Sequence, residues 1–296
     1  ALESAGFEVI TTKVAQEQLI PYINEEKIDV LLVRSATKVR KDIIDACPSL
    51  KVIGRGGVGM DNIDVDYAKS KGLNVINTPA ASSGSVADLV FAHLFTGVRF
   101  LHDSNRNMPL EGDSRFNDLK KNYSKGIELR GKTLGIVGFG RIGTEVAKIA
   151  LGLGMKVIAR GKERGERQVE LTFFNNGKIS LPVELMPMEE VLAQSDFITL
   201  HIPAQDEPVI AEEQFKLMKD GVGIINAARG GVINEVDLFK AIEDGKVSFA
   251  GLDVFENEPT PAVQILMNHK ISLSPHIGGQ TNEAQDRIGT ELAEQI

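Results

Sequence analysis

The chain has 296 residues, 42% hydrophobic and 25% charged, an ordinary globular balance with enough length for two domains. Its formal net charge of −8 argues against a nucleic-acid-binding face, which would need a basic surface. The single cysteine, Cys47, excludes an intrachain disulfide and fits a reducing compartment such as the cytoplasm, and no apolar run approaches the roughly 20 residues of a membrane span.

The chain opens on LESAGFEVI, which reads as a helix end running into a strand, so a further strand is expected ahead of Ala1. Strands are expected over 7–10, 29–33, 51–53 and 74–76, with a helix over 13–26. Cys47, before Pro48, reads as a small buried hydrophobe near a helix end. Residues 79–85, PAASSGS, have the chemistry of a linker. A long helix should follow from Ser85 to about His102, with Val86, Leu89, Val90, His93, Leu94, Gly97 and Leu101 on one apolar stripe. His93 is therefore expected in the core. The polar stretch 103–126 reads as an irregular exposed arm at a subunit interface.

An apolar strand over 133–137 then meets GFGRIG (138–143) and a helix, with a second strand over 156–159. In that setting the glycines have separate tasks. Gly138 permits the tight turn, Gly140 lets the backbone approach a pyrophosphate, and Gly143 lets helix and strand pack closely. The helix N-terminus supplies partial positive charge for phosphates. A dinucleotide unit ordinarily closes its second strand with a carboxylate. Here VIARGKERGER (157–167) runs into Arg160, Gly161, Lys162 and Arg164, diluted by Glu163 and Glu166.

Strands are expected next over 197–200, 223–226, 249–253 and 271–273, with a helix over 235–244. Alternating strands and helices predict parallel sheets covered on both faces, with ligands beyond the carboxyl ends of the strands. Three reactive side chains follow three of those ends: Arg229 in NAARGG, Glu258 in DVFENEP and His276 in SPHIGG. An arginine fork suits a carboxylate, and a histidine can exchange a proton near neutral pH. A neighbouring carboxylate would orient the imidazole and favour its protonated form. Together they fit reduction of a 2-keto acid. His102 and His269 read as surface residues and His201, in LHIP, as structural. The final pattern, 282–296, is an open-ended helix that returns to the first domain, so a further domain could follow Ile296.

GFGRIG, NAARGG, LDVFENEP and SPHIGG, in this order, resemble the D-isomer-specific 2-hydroxyacid dehydrogenases over essentially the whole chain. VRSATKV (33–39), GRGGVGMDNID (54–64), NTPAASSGSVAD (77–88) and NEAQDRIG (282–289) are most similar to the family's phosphoglycerate branch. The resemblance implies an α/β fold of two doubly wound domains with parallel sheets. A larger Rossmann-type dinucleotide-binding domain (82–281) would be inserted into a smaller flavodoxin-like substrate domain (1–81 and 282–296), with the substrate in the cleft between them.

It further implies Arg229, Glu258 and His276 as the catalytic set. Asp253, Ala227, Pro203, Gly278, Gly279 and the Arg141-Ile142 backbone would lie at the cofactor. The backbone of Gly57 and Val58 would hold the substrate carboxylate, with Arg34 and Arg55 near substrate. Oxidation of 3-phosphoglycerate, as in serine biosynthesis, is the activity implied, in a cytoplasmic homodimer formed through the dinucleotide-binding domain or in a tetramer. Alternatives are a glyoxylate or hydroxypyruvate reductase, or a dinucleotide-sensing co-repressor-like binding protein. The chain departs from the family pattern at Ser82, where asparagine is frequent, and at Asp88, where glutamate is usual. Against the family's strand ending, the ribose-binding acid falls at Gly161. The coenzyme is thus expected to be NAD or NADP, with Arg160, Lys162 and Arg164 favouring NADP's 2′-phosphate.

Overall fold

In chain order, α1 (Leu19–Glu25), β1 (Val30–Val33), α2 (Lys41–Ala46), β2 (Val52–Arg55), α3 (Val65–Ser70) and β3 (Asn74–Asn77) lead into α4 (Ser83–Val98). Two further helices follow, α5 (Leu101–Glu111) and α6 (Phe116–Asn122). Then come β4 (Thr133–Val137), α7 (Arg141–Gly152), β5 (Lys156–Arg160), β6 (Gly165–Thr172), β7 (Lys178–Met186), α8 (Met188–Gln194) and β8 (Phe197–Leu200). The chain ends with α9 (Glu212–Leu217), β9 (Val222–Asn226), α10 (Glu235–Glu243), β10 (Val247–Leu252), α11 (Val263–Met267), β11 (Ile271–Leu273) and α12 (Asn282–Gln295). This computed structural model describes residues 1–296. It divides into two compact units, one of Ala1–Ser85 with Gly279–Ile296, the other Val86–Gly278.

The first unit is built on a parallel sheet in the order β1-β2-β3. Alternate strand residues serve opposite faces. Val33 and Ile53 join Ile23, Val39, Ile43 and Ala68 on one side, while Leu32, Val52 and Ile76 meet Ile288 and Leu292 of α12 on the other. Cys47 is 2% exposed and burial pushes its thiol up, so it packs as a hydrophobe. Residues 7–10 do not form the expected strand. Phe7 and Val9 are half-buried and Glu8 and Ile10 exposed, the alternation a strand would show, but no neighbouring strand pairs with them.

The second unit carries an eight-stranded sheet in the order β11-β10-β9-β8-β4-β5-β7-β6, parallel throughout except for β6. Strand order reverses between β4 and β8, the switch point at which doubly wound sheets open a ligand crevice. Leu134 and Ile136 of β4 face one core with Val146 and Ala147 of α7, and Val137 faces the other with Leu200, Ile224 and Leu238. Fold class and sheet direction agree with the sequence reading. No single helix is long and apolar enough to cross a membrane.

Two local expectations need correction, and one connection was not read from the sequence. The helix expected from Ser85 to about His102 breaks after Val98, where Phe100 takes a left-handed φ of 55°. The stretch 103–126 is largely helical rather than irregular, stabilised by Arg115 pairing with Glu111 and Asp118 at helical spacing. The connection from β5 to β7 contains the strand β6 and a turn, where parallel neighbours are usually joined by a helix. Its sequence signal was readable: GERQVELT alternates, burying Val169 and Leu171, and Asn175-Asn176-Gly177 supplies the turn.

Candidate active site

β9, β10 and β11 are neighbours in the sheet, and the loops leaving their carboxyl ends carry Arg229, Glu258 and His276. Asn226 shapes the first loop. Its Oδ1 accepts the Ala228 amide at 3.1 Å, and its Nδ2 donates to the Arg229 carbonyl at 2.9 Å. The Arg229 guanidinium donates to the Ala228 carbonyl at 2.7 Å. The next residue, Gly230, lies so close to the β10 loop that an added Cβ would stand 1.8 Å from the Phe255 carbonyl oxygen. Any side chain there would push the arginine loop away from the glutamate loop. The same two loops are clamped by reciprocal bonds, Glu235 amide to Glu256 carboxylate and Glu256 amide to Glu235 carboxylate, each 2.8 Å. Glu235 is 6% exposed, and desolvation pushes its carboxyl up.

The histidine loop is held from beneath. Asp253 is 1% exposed, and its carboxylate accepts Ser274 Oγ at 2.6 Å and the amides of Ile277 and Gly278 at 2.8 Å each. Gly278 fits because an added Cβ would meet Asp253 Oδ2 at 3.1 Å. Thus held, His276 adopts a left-handed φ of 55°, an uncommon conformation for a residue with a side chain. Its Nδ1 lies 2.8 Å from Glu258 Oε2, while Glu258 Oε1 accepts the Phe255 amide at 3.1 Å. Nδ1 is thereby committed, and Nε2 is the ring atom left for proton exchange.

Behind this loop His93 is buried, as expected, with Nε2 2.9 Å from Ser274 Oγ and Nδ1 2.8 Å from Ser272 Oγ. Burial pushes its pKa down, so the ring is neutral. Because Ser274 gives its proton to Asp253, His93 donates through Nε2 and accepts through Nδ1. His201 bonds Thr199 through Nε2 at 2.9 Å, whereas its Nδ1 is shut from solvent without a partner.

The glycine loop fits a dinucleotide. Gly138 has φ 105° and an added Cβ would strike the His201 carbonyl oxygen at 2.3 Å; at Gly143 it would strike the Gly138 carbonyl oxygen at 2.3 Å. At Gly140 nothing lies within 4 Å of that position, so the backbone is open to a ligand. No side chain caps α7, leaving the first-turn amides of Arg141 and Ile142 directed outward. Ala227 is buried beyond β9, and Pro203 is exposed beyond β8. Arg160 ends β5 exposed, followed by Gly161 and Lys162. Arg164 is instead drawn into an ion pair with Glu190 of α8.

In the first unit, Arg34 follows β1 and Arg55 ends β2, with Arg55 in register beside Val33. Asn62 ties them together: it accepts Arg55 Nε at 3.2 Å and donates to the carbonyls of Arg34 at 3.0 Å and Thr37 at 2.6 Å. Arg34 donates to Gln285 of α12, which also donates to the Gly279 carbonyl at 3.0 Å. The Gly57 amide turns back to the Arg55 carbonyl at 2.8 Å, while the Val58 amide makes no hydrogen bond within the chain. Asn62, Asn226, Ser274 and Gln285 were absent from the sequence reading. Their signal lay only in their place within the quoted motifs, because their partners are set by the fold.

The chain is similar to known proteins along most of its length. The family model for the D-isomer specific 2-hydroxyacid dehydrogenase NAD binding domain matches residues 91–278. A hydroxypyruvate reductase of Thermotoga maritima is 44% identical over 294 residues, covering 98% of this chain and 90% of the relative. A D-3-phosphoglycerate dehydrogenase of Methanocaldococcus jannaschii is 40% identical over 298 residues, but the chain spans only 54% of its length. Among solved structures, the holo form of Rhodotorula graminis D-mandelate dehydrogenase superposes with a TM-score of 0.84 at 26% identity, covering 99% of this chain and 88% of that one. The family match over residues 91–278, with 44% identity to a relative over 98% of the chain, shows that this chain belongs to the D-isomer-specific 2-hydroxyacid dehydrogenases.

Proposed function

We propose that the chain interconverts a phosphorylated D-2-hydroxy acid, 3-phosphoglycerate in the first place, with its 2-keto counterpart, and that it uses NADP at least as well as NAD. The phosphate reading rests on Arg34. It is half-buried, and desolvation pulls its pKa down, yet its hydrogen-bond partner is the neutral amide of Gln285 and no carboxylate pairs with it. A guanidinium withdrawn from water without a counter-ion is costly, and an anionic ligand would offset that cost. Arg55, in register with the preceding residue Val33, would be the second donor.

Gly140 and the α7 N-terminus would hold a nicotinamide dinucleotide, which would supply or accept the hydride. The chain's own groups do the rest. Arg229 holds the substrate carboxylate and carbonyl, and His276 Nε2 gives a proton to the oxygen that becomes the hydroxyl, or removes it in the reverse direction. Glu258 orients the ring through Nδ1 and stabilises its cationic form. NADP use is supported by the absent side chain at Gly161 and the free cation of Arg160.

Hydroxypyruvate is the second reading, favoured by the 44% identity to the Thermotoga enzyme over 90% of its length. Arg34→Ala and Arg55→Ala separate the two. Each should raise KM for 3-phosphoglycerate about tenfold or more, the worth of one charge-assisted contact, and change hydroxypyruvate kinetics far less. Equal losses on both substrates would make the arginines structural. We also propose a homodimer built on the α5–α6 arm, where Leu101, Met108, Leu110 and Phe116 are exposed; light scattering in solution tests it.

A further inference from the structure

The β6–β7 hairpin brings a cation to the glycine loop from an unexpected direction. Arg167 lies on the face of β6 that also carries buried Val169 and Leu171, the face packed with the α7 core. From there its Nη1 donates to the carbonyl of Phe139, between the first two glycines of GFGRIG, and its guanidinium stands over the Phe139 ring, 5.0 Å from the centroid. No carboxylate pairs with it, and Nε and Nη2 have no partner in the chain. Arg167 is therefore a fixed cation beside a phosphate-binding turn, with donors to spare. Both its contacts restrict the side chain before any ligand arrives, which lowers the entropy lost on binding.

Conditions at the end of β5 sharpen the point. An acid at position 161 would have to displace backbone, since an added Cβ stands 2.7 Å from the Glu163 carbonyl oxygen and 2.9 Å from Leu185 Cβ. The hairpin itself, through Leu185 of β7, keeps that position small. One of the cations following it, Arg164, is engaged by Glu190. The same hairpin thus disfavours the acid that would repel a 2′-phosphate and supplies Arg167.

We propose that Arg167 is a coenzyme-selecting residue that recognises the 2′-phosphate of NADP, with Arg160 as its companion. This rests on the reading that the glycine loop holds a dinucleotide and that NADP is accepted. The test uses 2′,5′-ADP and 5′-AMP as probes, with binding followed by calorimetry on the full chain and no turnover needed. Wild-type protein should bind 2′,5′-ADP at least about tenfold tighter than 5′-AMP. Arg167→Met should erase most of that difference while leaving 5′-AMP binding within about threefold, and Arg167→Lys should restore part of it. If Arg167→Met weakens both probes equally, the residue only braces the glycine loop and the proposal is overturned. It is overturned too if neither probe is affected, although NADP use through Arg160 then stands. Wild-type protein indifferent to the 2′-phosphate would instead defeat the coenzyme reading itself. Melting curves of each variant establish that the binding change is not unfolding.

Discussion

Glu258 reaches His276 with one carboxylate oxygen and its own loop with the other: Oε2 lies 2.8 Å from Nδ1, and Oε1 accepts the Phe255 amide at 3.1 Å. The glutamate is thus fixed before it fixes the histidine, and the imidazole presents Nε2 in one orientation. His276→Ala should lower kcat by about two to four orders of magnitude, the usual span for a general acid–base group. Coenzyme affinity should be nearly unchanged, because the glycine loop is untouched. Glu258→Gln should cost less, since glutamine can still orient Nδ1 but cannot stabilise the cation. Near-normal kcat for His276→Ala in a steady-state assay would remove it from the chemistry.

Arg229 tests geometry against charge. Lysine at this position keeps the positive charge but loses the planar fork that grips a carboxylate bidentately. Arg229→Lys should therefore lose kcat/KM by about tenfold or more. Recovery to within a few-fold of the parent would show that charge alone suffices.

Asp253 bears on stability as well as catalysis. Its two oxygens accept two amides and a hydroxyl. In Asp253→Asn, either orientation of the side-chain amide points an N–H at a backbone N–H. The expected loss is about 1–3 kcal/mol in chemical denaturation, the cost of an unsatisfied buried donor, together with lower kcat as the left-handed turn at His276 relaxes. A variant as stable as the parent would mean that Asp253 does not hold the turn.

His201 sets an acid limit. Burial pushes its pKa down to about 3 from an ordinary 6.5. The folded value lies below the unfolded one, so above pH 6.5 both states are neutral and the residue is without effect. As pH falls below that, the unfolded chain takes up a proton that the folded chain refuses, and the penalty grows until the folded pKa is reached. Between pH 8 and pH 5 this amounts to about 2 kcal/mol. His201→Gln should lose that part of the parent's acid sensitivity in denaturant titrations at the two pH values. Identical pH dependence in parent and variant would contradict it.

The parts of the site legible in the sequence were those written by local rules. GFGRIG needs its own strand and helix, and Arg229, Glu258 and His276 each stand a few residues past an apolar run, so strand periodicity put them at strand ends and side-chain chemistry singled them out. The expected strand over 7–10 failed for the opposite reason: alternation is local, but a strand needs a partner, and none pairs there. Arg34 meets Gln285 across 251 positions, a contact that only the return of α12 to the first unit creates. Arg167 shows the same limit within one motif. It closes the stretch VIARGKERGER, yet only the hairpin reveals that it reaches the glycine loop while Arg164 turns away to Glu190.

The most direct measurement is steady-state kcat/KM for 3-phosphoglycerate and 3-phosphohydroxypyruvate beside D-glycerate, hydroxypyruvate and glyoxylate, each with NAD(H) and NADP(H). The phosphorylated pair should lead its unphosphorylated analogues by about tenfold or more, with the NADP form of the coenzyme at least equal to the NAD form. Preference for hydroxypyruvate would contradict the phosphate assignment to Arg34 and Arg55. No turnover of any of these acids with either coenzyme would contradict the catalytic account of His276, Glu258 and Arg229.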